Sequence, residues 1–167
     1  MTIERFTVVA MTAISIASFF YIPKAKYRLA LVSFLISGAT TWAASLSLVQ
    51  FGLVEYPVRV FIRATRGNFM LMHLFVPTVV VWFILTFPYQ ASIVKKILHY
   101  FIFTSFFTWF TYFTAMYTNL EKMLKVTMLL HVVFMYIRYS SFLLVNYIYI
   151  SWFSKKANLS KGQKRHA

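Results

Sequence analysis

The run LALVSFLISGATTWAASLSLVQF, residues 29–51, decides the fold: it holds 23 consecutive residues without one charge. At about 1.5 Å per residue a helix of that length spans about 34 Å, enough to cross a hydrocarbon layer about 30 Å thick. The run is apolar on every side rather than alternating, so it does not read as a strand of an outer-membrane barrel. A helix also satisfies its own backbone groups in lipid.

Four further charge-poor runs lie around it, at about 6–22, 69–87, 98–118 and 126–150. The first is closed by Pro23 and Lys24, the third by Pro88. The fold expected is therefore an all-α integral membrane bundle of five transmembrane helices over residues 1–153. The connections are too short for a soluble domain, and residues 154–167 form a polar, basic cytoplasmic tail.

Composition agrees with that reading. Of 167 residues, 60% are hydrophobic, 20% aromatic and only 12% charged. Soluble domains are nearer 25% charged, and one this small could not hide so many aromatic rings from water. There are 17 Lys and Arg against three acids, Glu4, Glu55 and Glu121, and no cysteine. Disulfides, thiolate chemistry and Cys-bound metals are excluded. Three carboxylates leave little for paired-carboxylate catalysis.

Cations are unevenly divided by the spans. Lys24, Lys26, Arg28, Lys95, Lys96 and the tail cations Lys155, Lys156, Lys161, Lys164 and Arg165 fall on one side. Arg5, Arg59, Arg63, Arg66, Lys122 and Lys125 fall on the other. The positive-inside bias then puts the N-terminus outside the cell membrane and the C-terminus in the cytoplasm. The tail meets anionic lipid headgroups more economically than nucleic acid, and no nucleic-acid partner is expected.

Four arginines are not explained by anchoring. In Glu55-Tyr-Pro-Val-Arg59-Val-Phe-Ile-Arg63-Ala-Thr-Arg66-Gly67, Pro57 suits a helix start and Gly67 a helix end. Arg59, Arg63 and Arg66 then share one face of a short amphipathic interfacial helix between the second and third spans. They are anion- or lipid-binding candidates, against the plainer reading of an interfacial helix touching headgroups. Arg138 lies within the fifth span, where a lone charge costs on the order of 2.5–3.5 kcal/mol. It calls for an acid, a wet cavity, a Tyr or Trp face, or another subunit's carboxylate.

His73 and His131 are the polar intramembrane candidates. His73 stands four residues before Pro77 and is read as filling the polar gap that the proline leaves. His131 is seven residues before Arg138, on the same helix face. No HxxxH or HExxH spacing occurs, so no metal is expected, and no cofactor or nucleotide motif is present. Ser33, Ser37, Thr41 and Ser45 recur at every fourth position, and Thr104, Thr108, Thr111 and Thr118 form a second stripe. Both read as helix-packing seams.

Glu55-Tyr56-Pro57-Val58-Arg59, Asn68-Phe69, Pro77, Phe87-Pro88 and Tyr117-Thr118-Asn119-Leu120 together resemble an uncharacterised family of small multi-pass membrane proteins common in spore-forming Gram-positive bacteria. The likeness spans roughly residues 50–153 and implies a membrane fold in a bacterial setting, with no reaction attached. That family often has an acid shortly before the Tyr-Thr pair and a tryptophan after it. This chain has Thr111 and Ala115 in the first place, and Met123 to Leu130 in the second.

The function expected is non-enzymatic: a structural or accessory subunit of a membrane assembly, bound to a membrane-protein partner or to a second copy of itself. The alternative is a carrier or channel component for an anionic solute or lipid, with Arg59, Arg63, Arg66 and Arg138 as contacts.

Overall fold

Charge-poor runs become helices here, and Pro, Gly and charged residues stand at the breaks. The computed structural model describes residues 3–58, 68–124 and 128–163. Helix α1 is Ile3–Phe20, and a 3-10 turn at Lys24–Lys26 leads into α2, Tyr27–Gln50. After a short strand β1, Val54–Glu55, a π turn at Leu71–Phe75 runs into α3, Val76–Leu85. Helix α4 is Ile93–Tyr117, β2 is Lys122–Met123, and α5 is Met128–Gln163. The fold is all-α, with β1 and β2 forming one two-residue antiparallel pair.

Among the described residues three stretches are long and apolar enough to cross a membrane: Ile3–Phe20, Lys24–Gln50 and Val132–Trp152. The stretch Leu71–Leu85 is apolar but shorter. Helix α4 has the length, yet Lys95, Lys96, His99 and its threonines lower its hydropathy. Helix α5 runs on through Ser154 to Gln163, into the segment read from sequence as a polar tail. Nothing in Ser154–Lys161 breaks a helix; Gly162 is the first weak point.

The connections gather at two ends. At one end β1 pairs with β2 in the register Val54 to Met123 and Glu55 to Lys122. Leu124 N–H donates to Leu53 O at 3.1 Å and Val58 N–H to Asn119 O at 3.2 Å. Asn119 Nδ2 also donates to Glu4 Oε1 at 3.3 Å, which brings the start of α1 to this end. At the other end Lys26 Nζ donates to Leu85 O at 3.2 Å, tying the α1–α2 turn to the end of α3. Helices α2 to α5 therefore run alternately up and down.

Helix α2 is the hub. Ser33, Ser37, Thr41 and Ser45 are all buried, as the four-residue spacing requires. The first three hydroxyls donate back one turn, to Leu29 O, Ser33 O and Ser37 O at 2.6–2.8 Å. Each is thus satisfied without help from another helix. A Cβ added at Gly38 would stand 3.7 Å from Pro77 Cγ, so α2 and α3 approach closely there. On α4 Thr104, Thr108 and Thr111 are buried, and Thr114 extends that stripe in place of the half-buried Thr118.

Two readings change. The helix start read at Pro57 does not fall there: Pro57–Val58 is a bend that follows the strand Val54–Glu55. Val58 N–H is bonded to Asn119 O, which continues past Glu55 the contact that β1 makes with the facing connection. The rest of the amphipathic segment, with Arg59, Arg63 and Arg66, lies outside the described residues. His73 does not fill a gap left by Pro77 through its Nδ1, which is buried without a hydrogen-bond partner. Its ring stacks on Phe69 at 4.6 Å instead. The break is absorbed by the backbone, whose π turn closes Val76 N–H onto Leu71 O. Thr78 Oγ1 caps the next carbonyl, Leu74 O, at 2.7 Å.

Candidate functional site: the Glu121–Arg138 pair and the groove beside it

An arginine on an apolar helix seeks an acid within reach of its long side chain, and the chain has only three. Glu121 follows Leu120, which is anchored at 1% exposure, and precedes the strand residue Lys122. The strand pair therefore holds Glu121 over the bundle end, with 0% of the residue exposed. Arg138 lies on α5, ten residues beyond its first residue, and reaches back toward that end. Its Nη1 stands 3.0 Å from Glu121 Oε1. The same Nη1 approaches Met135 Sδ at 3.6 Å, and the guanidinium carbon lies 5.1 Å from the Tyr139 ring centre. Acid and aromatic face, kept open as alternatives in the sequence, are both used.

Around this pair the polar groups are closely shared. Tyr139 hydroxyl and Thr111 Oγ1 are 2.7 Å apart, linking α5 to α4. The Tyr139 ring stacks on Phe107 at 4.9 Å. Tyr56, 1% exposed, sits between the strand pair and the helices. Burial, with the Glu121 charge nearby, pushes its phenol well above the usual tyrosine range. Glu121 Oε2 is buried without a hydrogen-bond partner among the described residues, and the buried Tyr56 Oη and Ser45 Oγ have none beyond each other. An unpartnered buried carboxylate oxygen is costly, so this end of the bundle carries unspent hydrogen-bonding capacity.

Beside the pair a groove of about 260 Å³ opens between α2, the π turn with α3, and α5. Its walls are mainly apolar, with Ala44, Met72, Val76, Phe142 and Val145. Arg138, Tyr139, Thr40, Thr41 and Ser141 supply the polar part. Thr40 also faces Asn146, whose Nδ2 donates to its Oγ1 at 3.3 Å and to Phe142 O at 2.9 Å. Asn146 is fully buried, so this is a polar tie between α2 and α5 in the bundle interior.

Of the residues nominated from sequence, the structure places Arg138 in a pair and against a groove. His73 lies on the π turn of the wall opposite α5, as a neighbour of Met72, and does not line the groove. His131 stands on α5, but its side chain lies outside the described residues, as do Arg59, Arg63 and Arg66. Tyr139, Asn146 and Tyr56 are not among the nominated residues. Asn146 had a legible signal, a lone amide eight residues from Arg138 in an apolar helix; Tyr56 had none beyond the resemblance. Two stretches that carry that resemblance, Glu55–Val58 and Tyr117–Leu120, meet through the Val58–Asn119 hydrogen bond. Among the described residues no three His, Asp or Glu side chains gather as metal ligands. The chain matches no family model, no curated protein and no solved structure.

Proposed function

We propose that this is a non-enzymatic integral membrane protein of five spans that serves as a structural or accessory subunit of a membrane assembly. Its N-terminus lies outside the cell membrane and its C-terminus in the cytoplasm. In this reading α4 and the shorter α3 also cross the bilayer, because the alternating connections leave them no other path between the two ends. The resemblance to the bacterial family sets the expected host membrane.

The observation that carries the proposal is the two-sidedness of α4. Its threonines Thr104, Thr108 and Thr111 face inward, while Phe101, Trp109, Phe113 and Tyr117 are all more than half exposed. These four fall at four- and eight-residue spacing and make one ridge, with Trp109–Phe113 and Phe113–Tyr117 centroids about 6 Å apart. Rigid aromatic ridges pack well against another helix and lose little entropy in doing so. The interior polar groups, in contrast, tie this chain to itself: Arg138 to Glu121, Asn146 to Thr40, Tyr139 to Thr111, and Tyr100 to Ser140. Arg138 needs no carboxylate from another subunit, so association falls to the ridge.

Purification in mild detergent after membrane cross-linking tests this. A defined larger species, hetero- or homo-oligomeric, is expected for the native chain and is lost on Trp109→Ala with Phe113→Ala. A monodisperse monomer with no cross-linked partner sinks the proposal.

A further inference from the structure

We infer that the groove between α2, α3 and α5 holds one acyl chain of an anionic phospholipid, whose phosphate is met by Arg138. The inference does not depend on the assembly role.

Its basis is charge complementarity in an otherwise apolar wall. Both hydrogen bonds of Arg138 use Nη1, on Glu121 Oε1 and Met135 Sδ. The remaining guanidinium N–H groups have no hydrogen-bond partner among the described residues, and the side chain keeps 13% exposure. Arg138 lines the groove. Facing hydrocarbon, unmet N–H groups are costly, and a phosphate oxygen satisfies them as a charge-assisted pair.

The volume and the walls choose the occupant. About 260 Å³ is below the usual range for a whole small-molecule site, about 300–1,000 Å³. It suits part of a chain, and the groove opens to the outside, where Ala44 is exposed and Val145 is 42% exposed. From Arg138 to Val145 the groove runs seven residues along α5, about 10 Å. A free hydrated anion would give up its water for one arginine already shared with Glu121, beside Val76 and Phe142. A phospholipid already has its tail in hydrocarbon, so the tail enters at little cost. The head contact then supplies the preference.

The distance from the bundle end fits. Arg138 is six residues inside the apolar stretch Val132–Trp152, about 9 Å along the axis, and it reaches toward the Glu121 end. A long arginine bridges much of that depth toward the headgroup level.

The test uses the full chain reconstituted in vesicles of equal parts phosphatidylcholine and phosphatidylglycerol, re-extracted in mild detergent, with retained lipid counted by mass spectrometry of the intact protein. The native chain is expected to keep about one phosphatidylglycerol in preference to phosphatidylcholine. Ala44→Trp, at the exposed rim, takes up groove space while leaving both Arg138 and Glu121 in the chain, and is expected to lower retention at least about tenfold. Arg138→Gln is expected to do the same, the loss that one charge-assisted hydrogen bond implies. If Arg138→Gln does not fold, Ala44→Trp carries the test alone. Unchanged retention in Ala44→Trp, or equal retention of both lipids by the native chain, overturns the inference. Displacement of the bound lipid by inorganic phosphate also overturns it, since the site would then take a free anion.

Discussion

Arg138 and Glu121 are a pair in which neither member can be spared alone. Glu121 is 1% exposed at its side chain, so removing the arginine leaves a buried carboxylate uncompensated. Arg138→Met is therefore expected to cost about 3–5 kcal/mol, while Arg138→Met with Glu121→Gln recovers most of it. Denaturant unfolding in mild detergent measures both, and equal losses in the single and double variants would refute the coupling. Tyr56 carries a different signature. Its phenol has a raised pKa in the folded chain because burial disfavours the phenolate. The unfolded value is about 10. Stability is thus intact below about pH 10 and falls as the unfolded chain releases a proton that the folded chain retains. Between about pH 9 and about pH 11 the native melting temperature is expected to drop more steeply than that of Tyr56→Phe. Parallel curves would show that Tyr56 ionises freely.

Helix α4 separates two kinds of buried threonine. Thr111 is bonded to Tyr139, whereas Thr104 Oγ1 and Thr108 Oγ1 are buried without a partner. Replacing an unmet hydroxyl by a methyl group removes a desolvation cost and keeps the shape. Thr108→Val is expected to be neutral or stabilising, while Thr111→Val is expected to lose about 1 kcal/mol. Thermal unfolding of the two variants side by side decides it; destabilisation of Thr108→Val by as much as Thr111→Val would mean that its hydroxyl has a partner. The four-residue spacing of α2 and α4 made both seams readable, because it places small polar residues on one face whatever lies opposite. The π turn was not readable. Pro77 announced a break, but whether the backbone or His73 absorbs it depends on Phe69, which takes the histidine ring.

For the molecule as a whole, the β1–β2 pair fixes which connections share an end. Glu55 and Lys122 stand opposite each other, and Tyr89 belongs to the connection at the far end. With the proposed orientation, Glu55→Cys is expected to react with an impermeant thiol reagent on intact cells, and Tyr89→Cys only after permeabilisation. Labelling of both from the same side would remove the five-span arrangement. The exposed surface is consistent with such a setting. Phe20, Ile93, Val94 and Phe6 are each more than 60% exposed, a burden that lipid carries without cost and water does not.

The all-α class, the places of the long helices apart from the extension of α5 through Ser154 to Gln163, and the buried face of α2 were legible from residue order. They rest on local rules: a charge-free run long enough to cross hydrocarbon must satisfy its own backbone, and a four-residue period stays on one side of a helix. The partner of Arg138 was legible only as a short set of options, since three acids left few choices. What chose Glu121 over Glu55 is tertiary. Adjacent residues on a strand face opposite ways, and the pairing of Val54–Glu55 with Lys122–Met123 leaves Glu55 exposed while Glu121 is carried inward. The groove is tertiary as well, because Ala44, Val76 and Val145 come from three helices whose approach is set by Gly38 against Pro77 and by the Thr40–Asn146 tie. Those contacts join residues far apart in the chain, and their geometry exists only once the helices pack.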